Sequence, residues 1–292
     1  MSLINLAKML KTAKKEHFAV GAFNAIDNHF VDAIFAAADQ NHSPIILNFA
    51  EVHSRLVNLE DMADYVCFKA RRANVPVTLN LDHGLTLDAV TRAINSGFTS
   101  IMFDGSHLDY EDNVRQTADV VDICRELNIS VEGELGAVGG DEGGALEGSA
   151  DAAQYTDIDQ AYDFVSRTGI NALAVAIGNS HGRYKGVPKL DFARLDALAN
   201  CVDVPLVLHG GSGLSAQDFR RVIELGIAKI NFYTGMSQVA LHTLETWLHD
   251  TALSNKYDHY LLLMKEVEHG VSTTVAEQMA IFGSLGKADG YA

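Results

Sequence analysis

The stretch Val75-Pro76-Val77-Thr78-Leu79-Asn80-Leu81-Asp82-His83-Gly84 reads as a buried strand, Val75 to Leu81, that runs directly into an acid and a histidine. Its β-branched and leucine-rich body fits a strand, and a helical pattern follows it, closed by Ile94 and Gly97. Working outward, the same unit recurs along the chain. The other strands read as Ala19 to Asn24, Pro44 to Phe49, Ser100 to Phe103, Ile129 to Gly133, Ala172 to Ile177, Pro205 to Leu208 and Lys229 to Phe232. Leu127-Asn128, Thr168-Gly169 and Leu225-Gly226 supply helix C-caps just before the next strand. Eight βα units in series predict an α/β fold, a (β/α)8 TIM barrel, filling residues 1–292 as one domain. An open doubly wound sheet would carry a glycine fingerprint after its first strand, and none follows Asn24. Leu3 to Lys15 is predicted as a helix covering the barrel floor, and the tail from Tyr257 holds a further helical pattern. A glycine-rich loop, Gly136 to Gly148, follows the fifth strand and has the character of a lid or binding loop.

Chemistry on such a barrel sits at the C-terminal ends of the strands. There the chain places Asp82 and His83 (third strand), Asp104 (fourth), Glu134 (fifth), His181 (beyond the sixth), His209 (seventh), and Asn231 and Thr234 (eighth). One histidine at a strand end is commonly structural, but three facing one barrel mouth match a catalytic zinc site with an open coordination position. The other nine of the 12 histidines, His17, His42, His242 and His249 among them, lie in helices, loops or strand starts and carry no function in this reading. Adjacent strand residues point to opposite faces, so Asp82 and His83 can serve one site only where the strand bends into its loop. Asp104 and Glu134 are hard oxygen donors that could orient the imidazoles or hold a second divalent cation. His209-Gly210-Gly211-Ser212-Gly213 lets backbone amides approach a phosphate, and Ser215 to Asp218 opens the next helix.

The 292 residues are 48% hydrophobic, enough for one large core, and the net charge of −16 with no concentrated basic patch argues against nucleic-acid and acidic-membrane partners. Lys11 to Lys15 and Lys69 to Arg72 read as solvated helix faces. Cys67, Cys124 and Cys201 are odd in number and sit in apolar helical patterns, which fits a reducing compartment. With no signal-peptide pattern and no segment of about 20 apolar residues, the expectation is a cytoplasmic protein.

Leu81-Asp82-His83-Gly84, Val131 to Gly136, Ala174 to Gly182, Leu206 to Gly213 and Lys229-Ile230-Asn231, in that order, resemble the motifs of the class II fructose-bisphosphate and tagatose-bisphosphate aldolase family over about residues 3 to 287. The resemblance implies that His83, His181 and His209 bind catalytic zinc, with Asp82 as general acid/base. It places Asp104 and Glu134 at positions associated with an additional metal. Glu142 becomes the loop carboxylate that moves the proton at the ketose-phosphate carbon. Asn24, Gly182, Gly210, Gly211, Ser212, Asn231, Tyr233 and Thr234 form the candidate substrate set, with Gly182 and Gly210 also offering carbonyls to a monovalent cation. The implied partner is a small sugar phosphate, and the implied assembly is a homodimer or homotetramer.

Two departures from the family pattern concern the substrate. After Asn231 the chain carries a bulky Tyr233 and no acid, which implies a reshaped phosphate cradle, and no arginine follows Arg221, which argues against a phosphate on the distal end. Glu51, Arg55 and Arg183 are the charged residues available for the aldehyde half. The implied reaction is reversible cleavage of a ketose 1-phosphate or bisphosphate to dihydroxyacetone phosphate and an aldehyde, through an enediolate that zinc stabilises. A Schiff-base aldolase would need a desolvated lysine at the mouth, and Lys229 begins its strand at the opposite end. A zinc-dependent hydrolase on the same barrel and a non-catalytic sugar-phosphate-binding subunit remain the alternatives.

Overall fold

A computed structural model describes residues 3–140, 155–182, 186, 188–249 and 259–291. The barrel strands are β1 Val20–Asn24, β2 Ile45–Ala50, β3 Val77–Gly84, β4 Ser100–Phe103, β5 Ser130–Leu135, β7 Ala172–Val175, β9 Leu206–Leu208 and β10 Ile227–Phe232. Two further strands of two residues each, β6 Gly139–Gly140 and β8 Ser180–His181, pair with each other. The eight long strands close in the order β1-β10-β9-β7-β5-β4-β3-β2, and every pairing is parallel. Every residue of these strands is buried, because helices cover the outside and side chains fill the inside.

The helices are α1 Leu6–Glu16, α2 Asn28–Asn41, α3 Leu59–Ala70, α4 Leu87–Asn95, α5 Tyr110–Arg125, α6 Ile158–Thr168, α7 Phe192–Cys201, α8 Ala216–Glu224, α9 Thr234–His249 and α10 Tyr260–Phe282. Their starts are set by side-chain caps: Asn5, Asp27, Asn58, Thr86, Asp157, Asp191 and Ser215 each accept a first-turn amide. At Ser215 the expected helix opening is a full capping box with Asp218. Gly97, Asn128, Gly169 and Gly226 all have positive φ where C-caps were expected. His17 and His42 turn out to be left-handed C-caps of α1 and α2, in line with a purely structural reading.

The floor helix is present as predicted. Leu6, Met9, Leu10 and Ala13 of α1 plug the lower barrel against Val20, Ile46, Ala172 and Val207. At the far end of the chain, α10 buries Leu263, Val267, Val271, Val275 and Met279 at helical spacing, and Tyr291 Oη donates to the carbonyl of Met9, 3.1 Å away. The lower barrel is thus filled with apolar groups, which leaves the polar strand ends facing the opposite rim.

Two expectations need correction. The sixth strand ends at Val175 rather than Ile177, because Gly178, at φ +99, turns the chain before it resumes as β8. The loop after the fifth strand is not irregular from Gly136 onward, since Gly139–Gly140 is paired. All three cysteines are free thiols, and burial pushes the Cys124 thiol up to about 11. A thiol-specific reagent at pH 8 should therefore leave Cys124 unlabelled in the native protein and modify it once denaturant is added; rapid native labelling, read by peptide mass, would contradict its burial.

Candidate active site

Asp82 and His83 both reach the barrel interior because β3 is irregular where it matters. The pairing of β3 with β4 shifts register between Leu81 and Gly84, and His83 adopts φ +43. A bulge adds one residue to one strand and re-aims a side chain, which is how neighbours of opposite facing come to share one site. The bend expected from the sequence is therefore present. Asp82 is buried, and its Oδ1 accepts from Asn231 Nδ2 at 2.9 Å.

His181 arrives by a different route. The β8–β6 pairing fixes its backbone, and Ser180 Oγ donates to the Gly139 carbonyl at 2.8 Å. Asn179 ties this segment to the next strand: its Oδ1 accepts from Ile177 N at 2.8 Å, and its Nδ2 donates to the His209 carbonyl at 3.1 Å. Gly210 has φ +64, and a Cβ there would lie 2.2 Å from the Ser180 carbonyl oxygen, so only glycine allows the two rims to meet.

Ligand atoms of His83, His181 and His209 lie within 4.8 Å of one another, and those of His83, Asp104 and Glu134 form an overlapping group of the same span. The ring centroids are 4.5 Å apart for His83–His209, 5.1 Å for His83–His181 and 5.8 Å for His181–His209, all edge to face. His83 Nδ1 faces Asp104 Oδ2 at 2.8 Å, while its Nε2 faces His209 Nδ1 at 2.7 Å. His209 Nε2 faces Glu132 Oε1 at 2.9 Å, and Glu132 Oε2 accepts from Lys229 Nζ at 2.6 Å. Two imidazoles are thus each held by a carboxylate through one nitrogen and present the other nitrogen to a shared point. That donor set fits a divalent metal, whose histidine ligands are typically oriented by such carboxylates.

The electrostatics agree. Burial first, with His83 and Lys229 close by, holds His209 well below the usual imidazole range, which favours the neutral ring that a metal ligand needs. Burial alone would raise the Asp104 carboxyl, but its bonds to His83 and Ser106 carry it well below the usual carboxylate range. Both Asp104 oxygens are occupied, Oδ2 by His83 and Oδ1 by Ser106. A second ion at Asp104 and Glu134 would have to compete with those partners.

Beside the histidines, an open cleft is lined by Asn24, Ala50, Val52, His53, Asp82, His181, Gly182, Gly210, Gly211, Ser212, Asn231, Tyr233 and Thr234. All eight candidate substrate residues are on its wall. Thr234 opens the 16-residue α9, and Gly235 N donates to Ser212 Oγ at 3.2 Å, so a helix N-terminus and the glycine run meet at one rim. Glu142, Arg183 and the rest of the loop to Gly148 lie outside the described residues. Glu51 does not reach the cleft: its carboxylate accepts from Leu85 N, Thr86 N and Thr86 Oγ at 2.6, 3.2 and 2.9 Å. Arg55 is exposed.

Three residues escaped the sequence reading. Lys229 is not at the far end of its strand. It is the third residue of β10 and fully buried against Glu132. Glu132 and Lys229 were detectable only as charges inside otherwise apolar strands. His53, on the turn after β2, carried no distinguishing signal.

The model of fructose-bisphosphate aldolase class-II matches residues 4–287. The chain belongs to the class II fructose-bisphosphate aldolase family. Among its relatives, the 6-phospho-5-dehydro-2-deoxy-D-gluconate aldolase of Halalkalibacterium halodurans is 39% identical over 295 residues, with 99% of each chain covered. The fructose-bisphosphate aldolase of Geobacillus stearothermophilus is 37% identical, again with 99% of each covered. The crystal structure of the YdjI aldolase from Escherichia coli K12 superimposes with a TM-score of 0.87 at 36% identity, covering 98% of this chain and 99% of that one. As a class II aldolase, the protein is a lyase acting on carbon–carbon bonds, with a sugar phosphate as substrate class and a divalent metal as cofactor class. No helix among the described residues is long and apolar enough to cross a membrane.

Proposed function

We propose that this class II aldolase is a zinc enzyme that reversibly cleaves a ketose 1-phosphate to dihydroxyacetone phosphate and an aldehyde. The observation that carries the reading is one cleft lined by His181, Asp82 and a glycine-lined helix N-terminus, beside the carboxylate-backed imidazoles of His83 and His209. Zinc held by His83, His181 and His209 supplies, when bound, the positive charge that offsets negative charge developing on the ketone oxygen. Asp82 takes the proton from the hydroxyl beside the breaking carbon–carbon bond and returns it in condensation. Asn231 fixes one Asp82 oxygen and leaves the other for the substrate. Glu142 is assigned the proton transfer at the carbon of the dihydroxyacetone phosphate half, a role that rests on the family resemblance. Gly182, Gly210, Gly211, Ser212, Asn231 and Thr234 receive the phosphate, with Asn24 and Tyr233 flanking the sugar. Asp104 and Glu132 act as the groups that orient His83 and His209.

A substrate with one phosphate is favoured because no lysine or arginine lines the cleft among the described residues and no arginine follows Arg221. The two relatives described above carry different substrate names, so family membership does not choose between them. Exposed Leu241, Leu248, Leu261 and Leu262 on α9 and α10 support a homo-oligomer. Incubation with mono- and bisphosphorylated ketoses should release dihydroxyacetone phosphate most efficiently from a monophosphate. A chelator should abolish release and zinc should restore it. Chelator-insensitive cleavage, or inactivation by borohydride in the presence of substrate, would instead indicate a covalent amine mechanism.

A further inference from the structure

One wall of the cleft takes no part in the metal, proton-transfer and phosphate roles above. His181 and Asp82 line one side, and the glycine run with the start of α9 lines another. What remains comes from the ends of β1 and β2, where His53 stands on the 3-10 turn Glu51–Arg55. His53 is 6% exposed, and neither of its ring nitrogens has a hydrogen-bond partner among the described residues. Buried polar groups are nearly always paired, so a doubly unpaired imidazole lining a substrate cleft calls for a ligand.

Its setting is rigid. Glu51, two residues earlier, is anchored to Leu85 and Thr86, while the His53 carbonyl accepts from Leu56 N and Val57 N at 2.9 Å each. The Tyr233 ring packs edge-on against the imidazole at 5.3 Å and 62°. Tyr233 follows directly after β10, so the pair arches over the end of β1 between the phosphate rim and the Asp82 side. With the phosphate held at one rim and Asp82 at the bond that breaks, the carbons beyond that bond have this wall to lean on.

Resting on the aldolase reading, we infer that His53 is a specificity residue that contacts the aldehyde half of the substrate and hydrogen-bonds one of its hydroxyl groups. Burial holds the His53 imidazole below its ordinary range despite the nearby Asp82 charge, so at neutral pH the ring carries one N–H and one bare nitrogen. A hydroxyl both gives and accepts a hydrogen bond and can use either nitrogen. A phosphate dianion only accepts, and among the described residues no lysine or arginine lines this wall.

The test is condensation by the zinc-loaded enzyme of dihydroxyacetone phosphate with glyceraldehyde, with propanal, which lacks both hydroxyls, and with glyceraldehyde 3-phosphate. His53→Ala is expected to lower kcat/KM for glyceraldehyde about tenfold while changing that for propanal less than about twofold. His53→Gln, which keeps a donor and an acceptor, should recover part of the loss. Exchange of the dihydroxyacetone phosphate proton, a half-reaction without an aldehyde, should be unchanged in both variants. Equal losses with glyceraldehyde and propanal, no loss with either, or a loss confined to glyceraldehyde 3-phosphate would overturn the assignment to a hydroxyl. Absence of proton exchange in the unmodified enzyme would instead overturn the aldolase reading, and this inference with it.

Discussion

Asp82→Asn is expected to lower retro-aldol cleavage by about a thousandfold, equivalent to about 4 kcal/mol of transition-state stabilisation, while zinc content stays unchanged. An asparagine keeps the shape of the side chain and can still accept from Asn231 Nδ2, so the β3 bulge and the neighbouring His83 should be undisturbed. What it lacks is the capacity to take a proton from the substrate hydroxyl. The proton exchange of dihydroxyacetone phosphate, assigned to Glu142, should survive within a few-fold. Parallel measurement of the two half-reactions separates these roles; an equal collapse of both, or loss of zinc, would mean that Asp82 shapes the metal site rather than moving the proton.

Lys229→Met should have the largest effect on stability. Lys229 and Glu132 are both 0% exposed and 2.6 Å apart, so removing the ammonium leaves a carboxylate buried without its counter-charge. Breaking such a pair costs about 4 kcal/mol, which for a barrel of this size corresponds to a fall in Tm of roughly 6–7 °C. Because Glu132 also holds His209 Nε2 at 2.9 Å, zinc affinity should drop by about tenfold or more. The double variant Glu132→Gln with Lys229→Met removes both charges and should regain most of the Tm. Calorimetry and competitive zinc titration of the single and double variants would decide this; a Lys229→Met protein as stable as the parent would show that the amine is uncharged or dispensable.

The fold was largely legible because its signal is local. Short apolar strands, capped helices and left-handed C-caps at Gly97, Asn128, Gly169 and Gly226 each follow from residues within a few positions of one another. His83, His181 and His209 were legible for a related reason: a parallel barrel delivers every strand end to one rim, so position along a strand already implies position in space. The boundary error at Ile177 follows from the turn at Gly178, whereas the misread glycine-rich loop has a nonlocal cause. The β6–β8 pairing joins segments about forty residues apart, and no local propensity encodes it.

The sequence by itself therefore determined a barrel, a floor helix and a rim carrying three histidines beside Asp82, because periodicity and strand-end placement are properties of single βα units. Only the tertiary structure decided which groups face one another across the barrel. It placed Glu132 and Lys229 behind His209, Asp104 on His83, and both Asp82 and His83 on the inside through a register shift. It also left His53 unpaired against Tyr233 on the wall open to the substrate. These relations join strands and turns distant in sequence, and their strength depends on burial, which exists only once the barrel has closed and water has left its interior.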